Sequence, residues 1–159
     1  MSSTHTIPRT ATRTLAVGAD AIVASPAFLR DAPPLRVPGD LAGVECLCNS
    51  HLGDDTEWAF SRGAETVSVA VAGHFSANHF GTLREAAIAG AGVARLPAAL
   101  VAEAIERGAL VRLLEAYETI PTPLCLVYPQ RRHMPYRNRV FRDFVVDWFA
   151  DPVRAKRFA

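Results

Sequence analysis

No run of apolar residues in this sequence approaches the ~18 that a membrane-crossing helix needs. The strongest apolar windows, such as Val67 to Ala72, end after a few positions, so the expectation is a soluble chain. A charge excess of either sign is missing too: 17 lysines and arginines face 16 acidic residues, a formal net charge of +1, which leaves no global field for drawing in nucleic acid. Cysteine is scarce. The three present are an odd number, and the Cys46-Leu47-Cys48 spacing fits neither a zinc knuckle nor a thioredoxin-like pair. On a predicted strand Cys46 and Cys48 face the same way and read as small core fillers in a reducing, cytoplasmic compartment. The start, Met1 to Pro8, lacks the charged head and apolar middle of a secretory signal. Catalytic signatures are lacking as well: there is no nucleophile elbow, no phosphate-cradling glycine loop and no His-Glu-x-x-His. His74 and His79, five apart in a loop, suit hydrogen bonding better than metal binding, and Glu103 with Glu106 reads as a solvated helix face. The expectation is a binding protein, not an enzyme, with no cofactor and no metal.

What is present is enough apolar material for a core, half of 159 residues, arranged most legibly from Gly81 to Pro97. Thr82 and Glu85 have capping-box spacing, Leu83 opens a helix, and Gly90 or Gly92 can end it in the left-handed conformation. Val93 to Leu96 follows as a short buried strand. Pro97 then suits the start of a helix, Ala98 to Arg107, which Gly108 terminates. Upstream, Thr14 to Ala24 reads as two extended pieces, and Ser25-Pro26 caps a short helix to about Asp31. Pro33 to Gly39 is a candidate hinge, Pro38-Gly39-Asp40 starts a helical turn, and Glu45 to Cys48 is a strand. Trp58 to Phe60 and Thr66 to Ala72 form a hairpin. Downstream lie a strand from Leu110 to Leu114, a proline-broken loop to Thr122 and a strand from Leu124 to Tyr128. A final helix opens at Pro135, and its stripe of Val140, Phe141, Phe144, Val145, Trp148 and Phe149 is assigned to the core. Arg154, Lys156 and Arg157 form a solvated tail.

Chemistry concentrates before the Gly81 stretch. A helix starting at Thr82 offers unpaired N–H groups and a positive dipole end to a carboxylate or other anion. Asn78 and His79 are placed to orient that ligand, and Ser76 and Phe80 to line its pocket. The loop Asn49-Ser50-His51, at a strand's end, is a second source of contacts. On the residues alone, a turn-capping Asn78 and a surface His79 explain the same pattern equally well.

Four segments in order carry a resemblance. "LREAAIAGAGVARLPAALVAEAIERGALVRLL", "AIVASPAFLRDAPPLRVPGDLAGVECL" before it and "PLCLVYPQRRHMPYRNRVFRDFVVDWFA" after it resemble the effector-binding domain of LysR-type transcriptional regulators, from Ala11 to about Ala150. Nothing before Arg13 resembles that family's winged helix-turn-helix or the opening of its first effector subdomain. The resemblance implies an α/β, periplasmic-binding-protein-like (type II) effector domain with subdomain two complete and subdomain one partial. Residues 1–12 would be a disordered lead, 13–39 crossover strands and helix of subdomain one, and 40–122 subdomain two. Residues 123–150 would be the returning strand and last helix of subdomain one, and 151–159 a basic tail. It further implies a small-molecule effector bound in the interdomain cleft. The contacts would come from Asn49, Ser50, His51, Ser76, Asn78, His79, Phe80 and Thr82, and from the turn at Leu96 and Pro97. Many relatives have an acidic or small residue where His79 stands, so a histidine favours an anionic effector. Homo-oligomers are expected, formed through the incomplete subdomain and the apolar face of the last helix, with DNA contacted only through a winged helix-turn-helix that these 159 residues do not include. The alternative reading is a free-standing interaction or dimerisation protein without a ligand. A solute-binding transport protein of the same fold is disfavoured by the absent signal sequence.

Overall fold

The structure, a computed structural model, describes residues 10–50, 56–129 and 134–151. In chain order it contains strands β1 (Thr10–Gly18) and β2 (Asp20–Ala24), helix α1 (Pro26–Asp31), a 3-10 helix (Pro38–Gly43), then β3 (Cys46–Asn49), β4 (Glu57–Arg62), β5 (Glu65–Ala70) and β6 (Ser76–Ala77). Helix α2 (Phe80–Ile88), β7 (Val93–Pro97), α3 (Ala98–Glu106), β8 (Val111–Leu113), β9 (Glu118–Thr119), β10 (Thr122–Pro129) and α4 (Tyr136–Ala150) complete it. These fall into two compact units, one of residues 1–18 and 123–159, the other of residues 19–122.

The 19–122 unit is built on a five-stranded sheet of order β6-β3-β7-β2-β8. Strands β6, β3 and β7 run parallel, while β2 lies antiparallel to both β7 and β8. The middle strands are buried on both faces, which is why Ala21 to Ala24 and Val93 to Leu96 read as near-continuous apolar runs without alternation. One face carries α2 and α3: Leu83, Ala87, Val101 and Ala104 pack on Val23, Leu47, Ala94 and Leu96. Against the other lies a three-stranded sheet of order β5-β4-β9, whose Trp58, Phe60 and Val69 share a cluster with Ile22, Leu41, Cys46 and Val93. Three layers result, with the parallel strands in the middle.

Local signals account for the ends of these elements. Ser25 accepts the Phe28 N–H at 3.2 Å and caps α1 as expected. Asp40 accepts the Arg36 and Val37 N–H groups at 2.7 and 2.9 Å, holding the 3-10 turn. Of the two glycines open to end α2, Gly90 does so: its φ is +86°, its N–H reaches the Ala87 carbonyl, and the Ala91 N–H reaches Ala86. Gly108 ends α3 in the same way.

Four features depart from the sequence reading. Strand β2 and helix α1 fall in the 19–122 unit, not with a first subdomain, because Asp20 to Ala24 finds hydrogen-bonding neighbours on both sides in β7 and β8. Two short strands, β6 and β9, stand where a linker and a loop are expected; at two residues each, neither shows a periodicity. Strand β1 already begins at Thr10, inside the expected disordered lead. The fourth is α4. Its apolar stripe is not core: no residue of the helix is buried, and Phe141 and Phe144 are each 63% exposed.

The other unit pairs β1 with β10 in a two-stranded sheet, as expected for Thr14 to Gly18 and Leu124 to Tyr128, and α4 completes it. Its described residues include no buried one. The basic tail lies outside the described residues.

Candidate functional site at the strand ends

In open α/β sheets ligands bind beyond the carboxyl ends of the parallel strands, and the sequence-nominated residues collect at that edge of the 19–122 unit. The register puts Cys48 beside Ser76 and Asn49 beside Ala77. Because Leu47 is level with Ala94, two residues further along bring Leu96 level with Asn49 and Pro97 level with Ser50. Strand β6 is two residues long and hands the chain straight to α2, so Ser76, Asn78, His79 and Phe80 reach the same edge. Ser50, Ser76, Asn78 and His79 are exposed there, Phe80 and Pro97 half-buried, and Asn49 buried with only 3% exposure. His51 lies outside the described residues.

Two members behave differently from expectation. Thr82 is not the cap of α2. His79 is, in extended geometry and without a side-chain capping bond, and the Thr82 and Leu83 N–H groups already donate to the His79 carbonyl at 3.1 and 3.3 Å. Thr82 therefore sits within the first turn, and Glu85 pairs with Arg84 instead of reaching back. The helix start moves to Phe80 and Gly81, whose first-turn N–H groups lie next to Asn78 and His79. The His79 ring folds over that turn: a Cβ on Gly81 would stand 2.8 Å from its Cε1, so only glycine leaves the imidazole this position. Leu96 is the other exception. Its side chain is fully buried against α2 and α3, so only its backbone faces the edge.

His74 hydrogen-bonds, as expected, rather than binding metal. Its ring Nδ1 lies 3.1 Å from Glu45 Oε2 and its N–H donates to the other oxygen, which holds the Glu45 carboxyl below the ordinary value. The cysteines are filler: all three are free, and burial pushes the Cys46 thiol up to about 12, so it stays protonated. Among the described residues no group of three His, Cys, Asp or Glu is placed to hold a metal ion, and no helix is long and apolar enough to cross a membrane.

Sequence reasoning missed the cluster on the other face of the same edge. Arg95, half-buried, stands 5.5 Å from the centre of the Trp58 ring and 3.8 Å from Asp20. Thr119 Oγ1 bridges the Asp20 N–H and carbonyl at 3.0 Å each, tying β9 to the start of β2. The signal was available: an arginine inside the apolar run Val93 to Leu96 demands a partner.

Comparison with known proteins agrees with this topology. The family described as LysR substrate binding domain matches residues 7–150. Over 119 residues the chain is 38% identical to the HTH-type transcriptional regulator PtxR of Pseudomonas aeruginosa, covering 75% of this chain and 38% of that protein. It is 29% identical to the probable HTH-type transcriptional regulator LtrA of Klebsiella pneumoniae, covering 78% and 41%. The chain thus spans about two fifths of the length of the regulators it matches. Among solved structures, the regulatory domain of a C227S variant of AphB from Vibrio vulnificus superposes with a TM-score of 0.78 at 27% identity, covering 87% of this chain and 70% of that one. The regulatory domain of CrgA, a LysR-type regulator from Neisseria meningitidis, gives 0.75 at 29%, covering 87% and 68%. Sheet order, strand directions and these matches together make the fold periplasmic-binding-protein-like, type II, and the chain belongs to the LysR substrate-binding domain family.

Proposed function

We propose that this chain is the small-molecule effector-sensing domain of a LysR-type transcriptional regulator working in the cytoplasm, and that its effector is an anion, most simply a carboxylate. The observation that carries the reading is the convergence of Asn49, Ser76, Asn78 and His79 on the open start of α2, at the carboxyl ends of β3 and β6. First-turn N–H groups and the helix dipole favour negative charge, while an exposed amide, hydroxyl and imidazole supply directional bonds. Binding, not catalysis, fits relatives that are transcriptional regulators. An effector that prefers one arrangement of the protein shifts its population, and a homo-oligomer converts that shift into geometry. No residue of this chain is assigned to DNA.

A panel of small carboxylates read by thermal unfolding tests this. At a hundredfold excess over Kd a ligand adds about 2.7 kcal/mol, and Asn78→Ala and His79→Ala should each shrink the shift. Shifts unchanged in both variants would move the site away from α2. A second reading, an interaction module without ligand, draws on the exposed Phe141 and Phe144 of α4; no response across the panel would favour it.

A further inference from the structure

Within the unit of residues 1–18 and 123–159, a groove of about 500 Å³ lies between the end of β10 and the first turns of α4, a volume in the small-molecule range. It shares no residue with the candidate site on the other unit. Its far wall follows from helical spacing: Arg137 with Phe141, and Asn138 with Arg142, are four apart and so share one face of α4, and all four line the groove. Val127 and Met134 line it as well. Val127 is 58% and Phe141 63% exposed, an apolar surface that no described residue covers.

Charge decides what fits. Both charged residues of the lining are arginines, and none is acidic. Arg142 is held in place by Asp143 at 2.6 Å and by the Tyr128 ring, 5.8 Å from its guanidinium carbon, whereas Arg137 has no ion pair among the described residues. The amino end of the 15-residue helix α4 adds its positive pole at the same spot. The whole unit is basic: it carries ten lysines and arginines and three aspartates, net +7, against −6 for residues 19–122. A second copy seated on this face by the same face would bring +7 against +7. A neutral apolar molecule would leave the arginines unused. We propose that the groove binds an amphipathic monocarboxylate, its tail on Val127, Met134 and Phe141 and its carboxylate at Arg137 and Asn138.

Calorimetric titration of the whole chain with decanoate, 1-decanol and acetate, alongside hydrogen exchange of α4, tests the assignment. Decanoate should bind at least roughly tenfold tighter than either comparison, the scale of a charge-assisted hydrogen bond, and should slow exchange in α4. Arg137→Gln, at an exposed position, should remove that advantage without changing decanol binding, Val127→Glu should remove both, and His79→Ala should change neither. Equal affinity for decanol and decanoate would overturn the proposal, as would an Arg137→Gln variant that binds normally. So would a dimer that Val127→Glu dissociates and that shuts decanoate out, which would make the face an interface between copies.

Discussion

Asp40 shows how one side chain can hold a junction. The Val37 and then the Arg36 backbone N–H, both donating to one carboxylate oxygen, hold its carboxyl below the ordinary 3.8. A carboxyl depressed in the folded state adds stability that is fully present above the unfolded value and is lost as the pH falls through the folded one. Asp40→Asn should therefore be less stable than the parent at neutral pH, with the gap closing below about pH 3.8. Urea midpoints across that range measure it, and a gap constant down to acid pH would show that the charge contributes nothing. Ser25 and Asp40 were legible because capping is local: donor and acceptor lie within four residues. Thr82 misled for the same reason. Thr82-x-x-Glu85 has the spacing of a cap, but the chain leaving β6 turns into helix at His79, so the hydroxyl is three residues late.

Elements meet where side chains are absent. Gly92, between α2 and β7, passes the strand entering β3 so closely that a Cβ would stand 2.6 Å from the Glu45 carbonyl oxygen, the acceptor of the Val93 N–H that begins the parallel pairing. Gly92→Ala has to push backbone apart and should cost about 1–3 kcal/mol. Gly43→Ala, with nothing within 4 Å, should cost far less. Chemical denaturation of the two variants side by side is the measurement, and equal effects would mean that β3 and β7 tolerate separation. Strands β2, β3, β7 and β10 and helices α1 and α3 announce themselves through apolar runs between turn residues. Strands β6 and β9 do not, since two residues paired at a sheet edge carry no period.

At the scale of the molecule the two units differ in kind. Every fully buried apolar side chain among the described residues belongs to residues 19–122, whereas the other unit is a two-stranded sheet and a helix with none. Two paired strands are marginal alone, so local opening should be cheap there. Amides of β1, β10 and α4 should exchange well before those of β2, β3 and β7, and mild urea should remove their protection first. Uniform protection across both units would show that they unfold as one. The charge split of +7 and −6 also makes any association through the basic unit steeply dependent on salt, and it opposes the self-pairing of that unit that an open sheet edge would otherwise invite.

The sequence by itself determined the family, the α/β class, the element order, the helix stops at Gly90 and Gly108, and the set of polar residues that gather at the strand ends. Those properties are local: caps, periodicity and turn chemistry act over a few residues, and four segments in order identify the fold. Only the tertiary structure decided that β2 belongs to the larger unit, that Leu96 is core while Pro97 faces the edge, that Arg95 meets Trp58 and Asp20, and that the apolar stripe of α4 lies open. Each of these depends on what stands opposite. Burial and pairing are set by partners 20 to 100 residues away in the chain, and a strand or an amphipathic helix carries the same pattern whether its apolar face meets a core or an empty groove.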